Sequence, residues 1–148
     1  MTRILMTTLF ASIALLAALA TEEPPTTFWV QLVRGSDEDK PPKADAKPIG
    51  PKLSQRLRPV FRWKKYWQMN RAEVKVAPGK TAKVRLSDAH EVEIDLKTQG
   101  KRIIRFYGDG KLVSALTHPV GESLDIQGGD SKTDSAWFIV VRRDRPQD

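Results

Sequence analysis

The chain of 148 residues contains no cysteine. That absence excludes a disulfide scaffold, a thiolate zinc site, an iron–sulfur centre and a thiol nucleophile. Histidine is scarce as well. Only His90 and His118 occur, so a multi-histidine metal site would need both of them plus carboxylates, and no metal or cofactor is expected. Beyond residue 20 no apolar run is long enough to span a bilayer as a helix, and no internal repeat is visible. Acids are outnumbered, 18 Asp plus Glu against 25 Lys plus Arg, which gives a formal charge of +7.

What the first twenty residues do hold is one cation, Arg3, followed by a run of Ile, Leu, Ala, Met and Phe that ends at Ala18-Leu19-Ala20. A charged start, a short apolar stretch and a small-x-small site form the layout of a cleavable secretory signal over residues 1–20. About 17 apolar residues softened by Thr7, Thr8 and Ser12 are short for a retained anchor. Residues 21–27 then read as a flexible mature N-terminus, and the exported chain is expected to be secreted or periplasmic with no transmembrane segment.

Residues 28–34 are apolar on both faces, as in a central strand. A long loop follows over 35–52, where Pro41, Pro42, Pro48 and Pro51 disfavour regular structure. Leu53 and Leu57 lie one helical turn apart and predict a short helix near 52–58, ended by Pro59. From Val60 the period becomes two, with Phe61, Trp63, Trp67 and Met69 on one face and Arg62, Lys64, Tyr66 and Gln68 on the other. The apolar parity then flips to Ala72, Val74 and Val76, which demands a bulge or turn near Asn70-Arg71.

The most specific structural signal is a hairpin. Folding the chain at Ser87-Asp88-Ala89 sets Val84 opposite Val92 and Ala82 opposite Ile94, while Arg85 meets Glu91 and Lys83 meets Glu93. Apolar residues thus meet on one face and opposite charges on the other. Such pairs contribute about 0.2–1 kcal/mol each and select the register. Gly108-Asp109-Gly110 predicts a second hairpin, with His118-Pro119 ending its return strand. Residues 124–126 form a short strand, Gly128-Gly129-Asp130 a turn, and residues 136–141 a strand able to pair centrally with the first. The basic tail 143–148 is expected to fray. Seven or eight such strands predict one all-β domain over 28–142, an antiparallel sandwich or barrel.

Catalytic signatures are missing. Ser87, Asp88 and His90 are close in sequence, but no Gly-x-Ser-x-Gly elbow surrounds the serine. Asp37-Glu38-Asp39 lacks the glycine and the distal glutamate of a calcium loop. The glycine-rich turns lack the Gly-Lys-Ser/Thr ending of a phosphate cradle. A hydrolase would have to join His90 or His118 to acids such as Asp88, Asp109 or Asp125.

The electrostatic anomaly is different in kind. Lys47, Lys52, Arg56, Arg58, Arg62, Lys64, Lys65 and Arg71 fall in one stretch without a single acid, interleaved with Phe61, Trp63, Tyr66 and Trp67. Cations hold phosphate, sulfate or carboxylate, and exposed aromatics stack on bases or sugar faces. Arg56, Arg58, Arg62, Lys64, Lys65, Tyr66 and Arg71 are the candidate ligand-binding residues, with Tyr66 the exposed aromatic. Arg142, Arg143 and Arg145 extend the patch if the last strand lies nearby. The alternative is a core of aromatics beneath an ordinary solvated face.

The stretches Val30-Gln31-Leu32-Val33-Arg34-Gly35, Lys47-Pro48-Ile49-Gly50-Pro51-Lys52-Leu53-Ser54, Phe61-Arg62-Trp63-Lys64-Lys65-Tyr66-Trp67 and Trp137-Phe138-Ile139-Val140-Val141-Arg142-Arg143-Asp144 together resemble those of small secreted proteins of verrucomicrobial-type bacteria. That resemblance implies export and carries no activity. The functional expectation is a non-enzymatic exported domain whose partner is an anionic glycan, an anionic membrane surface or an envelope protein. Docking as an accessory subunit on another envelope protein is the alternative, and a signal peptide disfavours intracellular nucleic acid.

Overall fold

A computed structural model describes residues 21–121, 124–130 and 135–147; the expected leader over 1–20 lies outside the described residues. The elements in chain order are β1 (Thr26–Ser36), β2 (Lys47–Pro48), α1 (Pro51–Leu57), β3 (Lys65–Val76), β4 (Thr81–Arg85), β5 (His90–Asp95), β6 (Lys101–Gly108), β7 (Lys111–Pro119), β8 (Leu124–Asp130) and β9 (Ser135–Arg142). Two antiparallel sheets result, β2-β3-β1-β9-β8 (sheet A) and β4-β5-β6-β7 (sheet B). The all-β expectation holds, and the pair of packed sheets is sandwich-like.

Sheet B is a run of hairpins. β4 and β5 pair Ala82 with Ile94, Val84 with Val92, Lys83 with Glu93 and Arg85 with Glu91, the register that the alternation of apolar and charged residues selects. The β6–β7 turn places Asp109 at φ 51° and Gly110 at φ 76°. Two consecutive positive φ values fit a type I′ turn, whose twist matches the flanking strands.

β1 and β9 lie side by side in the middle of sheet A, paired from Trp29–Arg142 to Ser36–Ser135. Their doubly apolar sequences follow from being covered on both sides. Toward sheet B, Phe28, Val30, Leu32, Ile139 and Val141 pack with Val92, Ile94, Ile104 and Phe106. On the opposite face Val33, Phe138 and Val140 pack with Leu53 and Leu57 of α1 and with Trp63 and Tyr66. The parity change in β3 is a bulge: Leu32 faces Asn70 while Val33 faces Gln68, so Met69 is the extra residue.

Four expectations are corrected by packing. β3 begins at Lys65 rather than Val60, because the chain first turns out of α1, with the Val60 and Phe61 N–H groups both donating to the Leu57 carbonyl. The loop after β1 is shorter than 35–52: β1 runs to Ser36, and β2 pairs Lys47 with Gln68 and Pro48 with Trp67. His118-Pro119 does not break β7, which pairs through Pro119; β7 is an edge strand, where proline is tolerated. Finally, Gly128 and Gly129 belong to β8, not to a turn. A Cβ on Gly129 would lie 2.4 Å from Trp137 Cζ2, and one on Gly128 would lie 3.0 Å from Phe138 Cδ1. The glycines make room for two aromatic rings on the neighbouring strand.

Candidate functional site

α1 opens with proline in its first turn and buries Leu53 and Leu57. That orientation turns Arg56 outward, and the chain then carries Arg58, Arg62, Lys64 and Lys65 along the exposed turn into β3. The Arg62 guanidinium lies 4.5 Å from the centroid of the Trp63 ring. That indole also rests on Gly35, where a Cβ would lie 2.5 Å from Cδ1. Lys65 pairs with Asp39 at 3.7 Å, and the Lys64 N–H donates to Asp37 Oδ1 at 3.1 Å. Among the described residues, no carboxylate comes within ion-pair distance of the Arg56, Arg58, Arg62 or Lys64 side chains.

Tyr66 is not the exposed aromatic. It is 5% exposed, its hydroxyl donates to the Phe61 carbonyl at 3.1 Å, and its ring centroid lies 6.1 Å from that of Phe138. Burial pushes its phenol pKa up. The alternation assumed from Val60 fails because extended structure begins only at Lys65, and both faces of sheet A are covered there. Trp63 and Trp67 are buried as well. The aromatics of this stretch are the floor under the cations.

Arg71 separates from the other six candidates. It is half-buried, with its guanidinium carbon 5.6 Å from the centroid of Trp29, and Arg145 approaches the same ring at 5.6 Å. Trp29 is thus the aromatic that sequence reading missed. Only the β1–β3 pairing, which sets Gln31 opposite Arg71 and Trp29 opposite Glu73, brings it there.

The tail after β9 joins the two groups of cations. Arg142, buried, donates to the Asp144 carboxylate, which also receives Lys52 Nζ of α1 at 3.0 Å. Arg142 first, and then Lys52, hold the Asp144 carboxyl far below the ordinary carboxylate range. Pro146 is buried, and a Cβ on Gly50 would lie 2.6 Å from the Gln147 carbonyl oxygen. Lys52, Arg56, Arg143 and Asp144 consequently line one polar groove of about 780 Å³ together with Pro24, Pro25, Thr26 and Thr27.

Two further polar clusters lie at one end of the sandwich and between its sheets. Ser87 Oγ accepts the N–H groups of Ala89 and His90 at 3.2 and 3.1 Å and lies 3.0 Å from His90 Nδ1. The Ser87 hydroxyl and His90 Nδ1 share a hydrogen bond whose direction follows the imidazole tautomer. Burial holds the His90 pKa below its ordinary value. This arrangement locks the β4–β5 turn. The second cluster joins the sheets: Arg102 Nη2 lies 3.0 Å from Asp125 Oδ2, and His118 Nε2 lies 2.9 Å from Asp125 Oδ1. Arg102 and Asp125 are essentially inaccessible to solvent. Among the described residues, no group of three or more acids and histidines is placed to hold a metal ion, and no helix is long and apolar enough to cross a membrane.

No family model, no curated protein and no solved structure matches the chain.

Proposed function

We propose that this chain is a non-enzymatic, exported β-sandwich that binds an anionic polymer of the cell envelope or its surroundings. The observation that carries this reading is the row of exposed side chains at Arg56, Arg58, Arg62 and Lys64, with no carboxylate in ion-pair reach among the described residues. Several cations of sheet B, by contrast, are matched. Lys83 pairs with Glu91 at 3.1 Å, and Arg105 pairs with Glu93 and Asp95 at 2.8 and 2.9 Å. An ordinary solvated face would mix the two signs in the same way. A row of cations along a helix and turn creates a local positive potential that raises the encounter rate with polyanions.

The groove lined by Lys52, Arg56, Arg143 and Asp144 extends the row, and Arg71 and Arg145 gather two more guanidinium groups around the Trp29 ring. The test is binding of residues 21–148 to an acidic glycan, to anionic vesicles and to single-stranded DNA across a salt series. Tight binding to one class should weaken steeply with salt. The triple variant R56E/R58E/K64E should weaken it at least tenfold with an unchanged unfolding midpoint. Equal binding by wild type and variant would remove the row from the site.

The alternative of docking on an envelope protein has one observation of its own. β7 is an edge strand that exposes Leu112 and Val113 at 56% and 53%, the geometry used in strand addition. It predicts a complex recoverable from cells that survives high salt and is lost in Val113→Pro.

A further inference from the structure

The two sheets part at the end where the β4–β5 turn faces the start of β9, leaving a cleft of about 410 Å³. That volume lies within the range of small-molecule sites, roughly 300–1,000 Å³. Its walls are apolar for the most part: Leu32 and Trp137 from sheet A, Met69 at the bulge of β3, and Ala89 from the turn. The polar groups that reach it are Arg34, Ser87, Asp88, His90 and Ser135.

Trp137 is a preorganised platform. Gly129 supports it from β8, with no space for even a Cβ between them. Arg34 is its register partner on β1, and the His90 ring lies 4.6 Å away from the turn of the other sheet. Held on these sides, the indole is nevertheless only partly buried, because its remaining surface lines the cleft. A seam serving only to close the core would have covered it.

The charges inside the cleft are asymmetric. One Arg34 donor is used on Ser135 Oγ at 3.0 Å, which fixes the direction of the guanidinium fork, and an arginine has five N–H donors in all. The His90 ring is a second polar group of the cleft. Asp88, the one acid, is exposed at the tip of the turn.

We propose that this cleft binds a small amphipathic carboxylate, with its aromatic or short aliphatic body against Trp137 and its carboxylate on Arg34. The site is separate from the cationic row on the outer face of sheet A, so the two readings stand or fall independently. An amine ligand fits worse, since the half-buried Arg34 would face it, while Asp88, which also lines the cleft, is exposed to solvent.

The experiment is a titration of the purified protein with 2-naphthoate, its neutral counterpart 2-naphthamide and the cation 2-naphthylmethylammonium. It is followed through the indole N–H resonance of Trp137, assigned with Trp137→Phe. Naphthoate should shift that resonance saturably at micromolar to low millimolar concentration, at least tenfold tighter than the amide. Arg34→Gln should remove that advantage and leave the amide unchanged, which also shows that the cleft is still formed. Asp88→Asn should leave naphthoate binding equal or tighter. No saturable shift, equal affinity for acid and amide, stronger binding of the ammonium probe, or an unaltered preference in Arg34→Gln would each overturn the proposal.

Discussion

The Arg102–Asp125 pair gives the sharpest energetic prediction, because it is buried and joins the two sheets. Arg102 comes from β6 of sheet B and Asp125 from β8 of sheet A, with side chains 1% and 0% exposed and 3.0 Å between Nη2 and Oδ2. His118, the register partner of Arg102 on β7, reaches the same carboxylate at 2.9 Å. Removing one member of a buried pair strands the other charge away from water, at about 3–5 kcal/mol. Arg102→Met leaves Asp125 with His118 still beside it, so about 3 kcal/mol is expected. Asp125→Leu leaves the guanidinium in the core over Phe28, whose ring centroid is 5.8 Å from it, so the upper end of the same range is expected, about 5 kcal/mol.

The double variant R102M/D125L removes both charges and fills the space with apolar atoms. Replacing a whole buried pair in this way is often neutral or stabilising, so the double variant should lie within about 1–2 kcal/mol of wild type, far from the sum of the single changes. Urea unfolding of the four proteins measures the cycle, with a constant m value as the check that the transition is unchanged. Additive losses would refute the reasoning, as would single changes that each cost under about 1 kcal/mol. Either result would make the pair an ordinary polar contact and not an electrostatic pin between the sheets.

Other consequences follow from single positions. The half-buried His90 imidazole takes up a proton less readily when folded than when unfolded, so stability is fully present above the unfolded pKa of about 6.5 and falls as pH drops below it toward the lower folded value. His90→Gln should flatten the urea midpoint between pH 7.5 and pH 5 relative to wild type. Gly129→Val drives a side chain into Trp137 and should cost about 1–3 kcal/mol and alter the near-ultraviolet dichroism, whereas Gly121→Ala, with open space around it, should change neither. The depressed Asp144 carboxyl contributes stability above its ordinary pKa of about 3.9 and loses it as pH falls below that value. Asp144→Asn removes the contribution at neutral pH, and the expected result is faster amide exchange over residues 143–147 with little change in the global midpoint.

Legibility in the sequence followed the range of the interactions. The β4–β5 hairpin was readable to the residue because its apolar and charged alternations lie within fifteen positions of one another. The β6–β7 turn was readable from Asp109-Gly110, since few residues tolerate two positive φ values. α1 was visible in the spacing of Leu53 and Leu57. By contrast, Gly128 and Gly129 look like a turn until Phe138 and Trp137 are known to lie across from them. Tyr66 looked exposed because the start of β3 depends on how Trp63 seats on Gly35, nearly thirty residues away. Trp29 between Arg71 and Arg145 needs three separated segments at once. The candidate cations themselves were readable as exposed charge, but their grouping was not, because it depends on where the tail after β9 runs.

The order of strands has a consequence for how the molecule is made. Sheet B is built wholly from neighbours in sequence, β4 to β7, each closing on the previous one through a short turn. Such local contacts form quickly. Sheet A is the reverse: its centre is the pairing of β1 with β9, in which Ser36 meets Ser135, and this loop encloses the whole of sheet B. A chain synthesised from its N-terminus can therefore assemble the meander early, while β1 waits beside β3 with one edge unsatisfied until the final strand arrives. The sandwich closes only once β9 has been made. Under the export proposed above, that delay is an advantage, since the native core cannot lock before passage is under way.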